Sequence, residues 1–222
     1  MSEDLINILI NATLETLYML LFTTIISLFL GIPIGILFTV SEKGGIYPLP
    51  KLNKVVGTII NVIRSIPEII LIVLLLPLAR LIVGTSLGTN AAIVSLSIGA
   101  TPFIARIIES SLKEIEHGKI EAAQSMGASP IQIIIKVLIP EALPSIVRGI
   151  TIAVIGILGF TAIAGAIGAG GLGSMAIRFG YQRFRTDVLI GTVVVLIVIV
   201  QIIQISGELI SKRINKKRFK FE

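Results

Sequence analysis

The chain has 222 residues, 54% of them hydrophobic and only 14% charged, with a mean hydropathy of +0.99. These values lie far outside the soluble globular average and place it among integral membrane proteins, with one membrane domain and no separate soluble one. The absence of cysteine excludes disulfides, a thiol nucleophile, thiolate metal sites and palmitoyl anchoring, and the lone His117 excludes a multi-histidine metal site.

The N-terminal stretch carries Glu3, Asp4 and Glu15 but no Lys or Arg, so it lacks the basic region of a cleaved signal peptide and reads as mature protein. The first apolar run, 14–40, is long enough to cross about 30 Å of hydrocarbon at roughly 1.5 Å per residue. Near its end, Gly31-Ile32-Pro33-Ile34-Gly35 joins small-residue packing to a proline kink. Residues 41–54, with Gly44, Gly45, Pro48, Pro50 and three lysines, read as a short exposed loop.

A second run, 55–83, is interrupted by Arg64, Pro67, Glu68 and Pro77. In a helix starting near Val55, Arg64 lies about 13 Å in, where a lone arginine costs about 2.5–3.5 kcal/mol. Glu68 follows four residues later on the same predicted helical face. The two are expected either to form a structural ion pair or to line or gate a pathway. The third run, 87–108, contains Thr101-Pro102 and should bend there. A polar segment, 114–144, separates it from a fourth run, 145–168, and the fifth covers 188–210. Between the last two runs, GAIGAGGLGSMAIRFGYQRFRTD holds too many glycines and arginines for an ordinary spanning helix. The reading is an all-α membrane protein with about five spans.

Charge placement orients it. Putting the 41–54 loop, the polar segment and the C-terminus on one side collects fourteen of the 19 basic residues there. Arg80, Arg178, Arg183 and Arg185 remain on the other side, and Arg64 lies within a span. The positive-inside rule then puts the N-terminus outside and the polar segment and the basic tail, 211–222, in the cytoplasm. The tail could also meet anionic lipid. Nucleic-acid binding is not supported, because no reading element or stacking aromatics accompany the charge.

Within the polar segment, 120–126 favours helix, and Gly127-Ala128-Ser129-Pro130 supplies a helix stop followed by an N-cap serine and a first-turn proline. Two short helices are therefore expected, the second over 131–139 and ended by Pro140. This apolar pair, too short to span, should lie along the membrane face and offer a small-residue knuckle to a partner.

Glu121-Ala122-Ala123, three residues, Gly127, nine residues, then Val137-Leu138-Ile139-Pro140 resembles the EAA loop of membrane subunits of binding-protein-dependent ABC importers. Val137 and Ile139 are mild departures from its usual I-x-L-P ending. Arg64-Ser65-Ile66-Pro67, Val83-Gly84-Thr85-Ser86, Pro102 to Arg106 and Gly165 to Gly173 are similar to the methionine-importing branch of that family, while Glu68 stands where a bulky apolar residue is expected. The resemblance implies a small type I importer permease of the bacterial inner membrane that pairs with a second copy of itself around the path of an amino acid, methionine. It implies two cytoplasmic ATPase subunits, which carry the ATP and Mg, and an extracytoplasmic binding protein or lipoprotein. Glu121, Ala122, Ala123 and Gly127 would then be coupling residues, with Pro140 ending the coupling element.

The chain itself should be no enzyme. Gly118-Lys119 is followed by Ile120, so a P-loop is absent, and Gly168-Ala169-Gly170-Gly171-Leu172-Gly173 follows an apolar helix in place of the strand a dinucleotide fingerprint needs. Glu114, Glu116 and Glu121 read as a solvated face, not as a paired acid and base. The alternatives are an ATPase-independent carrier or channel, disfavoured because Glu68 is the one carboxylate in the interior of a predicted span and no repeat is evident, or an ABC permease for another small solute.

Overall fold

The computed structural model describes residues 3–218, so the last four residues of the predicted basic tail lie outside the described residues. Among the described residues there are nine α-helices and no strand. Helix α1 is Glu3–Val40 and α2 is Pro50–Ser65, followed by α3, Glu68–Val83, and α4, Thr89–Lys113. Two short helices, α5 (His117–Ser125) and α6 (Pro130–Ile133), lead through a π-helical turn at Ile134–Leu138 into α7, Ile139–Ala164. A second π turn at Gly165–Ala169, the five-residue α8 (Gly171–Met175) and a third at Ala176–Tyr181 precede α9, Thr186–Arg218.

Four helical stretches are long and apolar enough to cross a membrane: Leu5–Val40, Thr89–Lys113, Pro130–Ala169 and Thr186–Lys216. The pair α2 and α3, bent at its break, makes a fifth when taken as one broken crossing. The spans are longer than the apolar runs alone suggest, because polar end residues continue the backbone ladder for several turns.

The second run departs most from expectation. Pro67 has no N–H and biases the preceding residue away from helix, so α2 stops at Ser65 and a separate α3 starts at Glu68. A four-residue spacing places side chains on one face only when the helix is continuous. Arg64 and Glu68 therefore do not share a helical face, and their sequence-predicted pairing on that ground is withdrawn. The predicted loop is also shorter, since Pro50 opens α2 and Lys51 and Lys54 lie on it.

The chain divides into two compact units, and α1, α4, α7 and α9 contribute residues to both. One comprises the described parts of Met1–Ser27, with Ile66–Ala100 and Val154–Gln204. Its core gathers Met19, Ile72, Leu96 and Ala164, with Phe160 and Ile163 packed against them. The glycine-rich stretch does not span: Gly168, Gly170 and Gly171 hold φ of +103°, +90° and +74°. The resulting turn is fastened to α1, where the Gly171 N–H donates to Glu15 Oε2 at 2.6 Å and the Leu172 N–H to Thr16 Oγ1 at 2.8 Å.

The other unit comprises Leu28–Ser65, Thr101–Ala153 and the described part of Ile205–Glu222. Gly31 and Gly35 sit directly against α4. A Cβ at Gly31 would come within 2.7 Å of Ile104 Cγ2, and one at Gly35 within 2.6 Å of both the Ala105 carbonyl and Ile108 Cβ. The small residues thus serve close packing as their spacing suggested. Asn53 fastens the end of α1 by donating to the Phe38 carbonyl at 2.6 Å and to Ser41 Oγ at 3.0 Å.

Candidate functional site

The polar segment folds around the Gly127 turn. Helix α5 ends in a Schellman arrangement: the Gly127 N–H donates to the Gln124 carbonyl at 2.9 Å and the Ala128 N–H to the Ala123 carbonyl at 3.1 Å. This geometry places Gly127 at φ +78°, in the left-handed region where glycine pays no Cβ penalty. Ser129 then caps α6 in a capping box, its Oγ accepting from the Gln132 N–H while Gln132 Oε1 accepts from the Ser129 N–H, and Pro130 occupies the first turn.

Glu121, Ala122, Ala123 and Gly127 are gathered on this one short helix and its turn, with Ala123 buried and the other three exposed. His117 Nε2 lies 3.6 Å from Glu121 Oε1, one turn along α5. Met126 and Ile131, on either side of the turn in sequence, are 81% and 67% exposed. Two large apolar side chains held out beside a glycine turn form a protruding apolar knob, the kind of surface that a partner's groove covers. Sequence reading found the glycine and alanines but passed over these two.

Pro140 is a correction. It does not end the second short helix, because the chain continues from α6 through the π turn into α7, with Pro140 at the second position of α7. A proline within a helix collides with the carbonyl four residues earlier, and a π turn immediately before it widens the ladder there. Pro144 lies inside α7 as well.

Two polar contacts join the segment to α7. Lys119 Nζ of α5 donates to Glu141 Oε2 at 2.6 Å, and Ser145 Oγ donates to Glu114 Oε2 at 2.7 Å. On another side a cleft of about 230 Å³ lies between His117, Ile120 and Gln124 of the segment and Gly45, Leu112 and Leu138. The segment is therefore tied to α7 by charge while retaining free volume beside the loop after α1.

Close to the segment in the chain lies a charge network that sequence reading missed. Glu109, 6% exposed, accepts from Arg106 Nη1 at 2.6 Å and from Lys113 Nζ at 3.0 Å, and Lys113 also reaches Glu42 at 2.7 Å. Arg106 Nη2 donates to Asn61 Oδ1 at 2.8 Å, and its guanidinium lies 4.4 Å from the centre of the Phe38 ring. The Arg106, Glu109, Lys113 spacing was legible as one face of α4, but the partners from α1, α2 and the loop between them were not. Of the two predicted pathway residues, Arg64 is exposed near the end of α2 and Glu68 is half-buried at the start of α3. Among the described residues no cluster of His, Cys, Asp or Glu suits a metal ion.

Residues 31–220 match the sequence profile described as the binding-protein-dependent transport system inner membrane component. A probable D-methionine transport system permease protein of Vibrio cholerae is 46% identical over 211 residues, covering 95% of this chain and 94% of the relative. A methionine import system permease protein of Bacillus subtilis is 47% identical, covering 93% of each chain. Among solved structures, a chain of the MetNI methionine ABC transporter in an inward-facing conformation superposes with a TM-score of 0.94 at 44% identity, covering 96% of this chain and 99% of its own.

Proposed function

Because the chain belongs to the family of binding-protein-dependent transport system inner membrane components, we propose that it is the membrane-spanning subunit of an ATP-driven importer whose cargo is an amino acid, methionine. Two copies surround the path, and residues 114–144 engage a separate cytoplasmic ATPase that carries ATP and Mg. A binding protein delivers substrate from outside. Charge placement supports the N-terminus outside and the tail in the cytoplasm. The methionine assignment is supported by the transport named for the relatives above.

One observation carries the coupling role: the spacing Glu121-Ala122-Ala123 to Gly127 falls on a helix that ends in a Schellman turn and holds Met126 and Ile131 out. Closure of the ATPase pair pushes on this knob. Lys119–Glu141 and Glu114–Ser145 pass the displacement to α7, and Leu138 and Ile133, both 1% exposed, give the segment its apolar footing. Gly127 keeps the turn compact, Ala122 allows close approach, Glu121 presents a carboxylate to the partner, and Pro140 fixes the direction in which α7 leaves the segment. Arg64 and Glu68 act in the path or its gate as separate groups.

The test is co-purification with the cognate ATPase and binding protein, then reconstitution in liposomes. Uptake of labelled methionine with hydrolysis stimulated by the loaded binding protein is expected. Uptake that needs no ATPase would establish a secondary carrier and overturn the proposal. Arg64→Ala should abolish uptake and leave the complex assembled, and collapse of assembly in that variant would remove Arg64 from the path.

A further inference from the structure

We propose that Glu68 and Gly99 form a receiving site for the ammonium group of the transported amino acid, an inference that rests on the importer reading above. Glu68 follows the break between α2 and α3, so no residue of α2 shares its helical face. Its Oε1 is buried without a hydrogen-bond partner, and among the described residues no salt bridge includes it. The residue as a whole is half-buried, so the carboxylate can be approached from its open side.

The wall behind it is shaped for this side chain. A Cβ at Gly99 of α4 would stand 2.6 Å from Glu68 Oε1, 3.2 Å from its Cδ and 3.1 Å from Leu71 Cδ2. Any larger residue at 99 would displace the carboxylate, so the glycine makes the pocket that holds it. Leu71, which flanks the same point, is itself buried.

A carboxylate with one oxygen out of reach of any protein donor favours a cation at its open side. An ammonium group brings a full positive charge and three N–H donors, which suit the open side of a carboxylate whose other oxygen is buried and unpaired. The substrate's own carboxylate is repelled by the same group, so an amino acid would be oriented with its ammonium toward α3. Interrupted membrane helices recur as ligand sites because the break leaves polar groups at bilayer depth. The Glu68 charge discriminates against solutes without a cationic group.

The complete transporter of permease, ATPase and binding protein is placed in liposomes, and labelled methionine uptake is measured against ATP hydrolysed. Glu68→Gln keeps the shape and removes the charge. It should lower uptake per ATP at least tenfold while the complex still co-purifies, and Glu68→Asp should recover part of the loss. Gly99→Ala should reproduce the Gln phenotype by crowding the carboxylate. Wild-type uptake per ATP in Glu68→Gln overturns the assignment, since glutamine mimics the neutral acid, and so does loss of the assembled complex, which would make Glu68 an assembly residue. Uptake by the wild type should be the same in sodium, potassium and choline buffers. A dependence on one inorganic cation that Glu68→Gln removes would also overturn it. A wild-type transporter that carries no amino acid refutes the importer reading, whereas an indifferent Glu68→Gln in a methionine-transporting complex refutes only this site.

Discussion

Gly127 holds φ at +78°, and a Cβ at this position would meet nothing within 4 Å. A side chain there suffers only the left-handed penalty of about 1–2 kcal/mol, which asparagine and aspartate largely escape through local hydrogen bonding. Gly127→Asn and Gly127→Asp are thus nearly equal in backbone cost and in size, and they differ in charge. On the free chain both should shift thermal unfolding by no more than a few degrees, since about 1 kcal/mol is a modest part of a domain's stability. The difference should emerge on docking. If the knob of Met126 and Ile131 enters a groove on the ATPase, aspartate brings an unpaired charge into a desolvated contact at a cost of several kcal/mol. Because about 1.4 kcal/mol is a factor of ten, Gly127→Asp should weaken ATPase association at least hundredfold and block uptake, and Gly127→Asn should lose less than tenfold. Binding of the purified ATPase to immobilised permease measures the first effect, and uptake in liposomes measures the second. Equal damage from the two variants, or normal association and coupled hydrolysis in Gly127→Asp, would refute the reasoning.

The pair Lys119–Glu141 is partly exposed, so Lys119→Met should cost stability about 1 kcal/mol or less. It should nevertheless lower uptake per ATP hydrolysed, and the exchange Lys119→Glu with Glu141→Lys should restore it, both read in liposomes. Glu109→Ala leaves Arg106 without its carboxylate partner. Since Arg106 is only partly buried, the loss should be about 2–3 kcal/mol, below the range for a fully buried broken pair, and is measured by thermal unfolding in detergent. Gly35→Ala drives a methyl against a backbone carbonyl and Ile108 and should destabilise by about 1–3 kcal/mol, while Gly118→Ala, with nothing within 4 Å, should be neutral in the same assay.

Much of the Gly127 turn was legible because its causes are local. A left-handed glycine, a serine N-cap and a first-turn proline within four consecutive residues leave the backbone few choices, and 127–130 folds as its sequence indicates. Pro140 was misread for the complementary reason. Taken alone it is a helix stop, and the π turn that accommodates it cannot be recognised from the apolar pattern of Ile134–Leu138. The Arg64–Glu68 pairing failed because spacing was applied across Pro67, where the helix it required is interrupted.

Hydropathy, positive charge and glycine placement determined the class, the number of apolar runs and the turn at Gly127, because each is set by the solvent a segment must enter or by the torsions of a few residues. Tertiary structure decided which charges meet. Glu109 draws Arg106 and Lys113 from its own helix, but Asn61 reaches Arg106 across 45 positions and Glu42 reaches Lys113 across 71, the latter by subtraction of 42 from 113, and Gly99 lies behind Glu68 across 31. Contacts at such separations depend on how helices pack, and no periodicity within one helix encodes its neighbour.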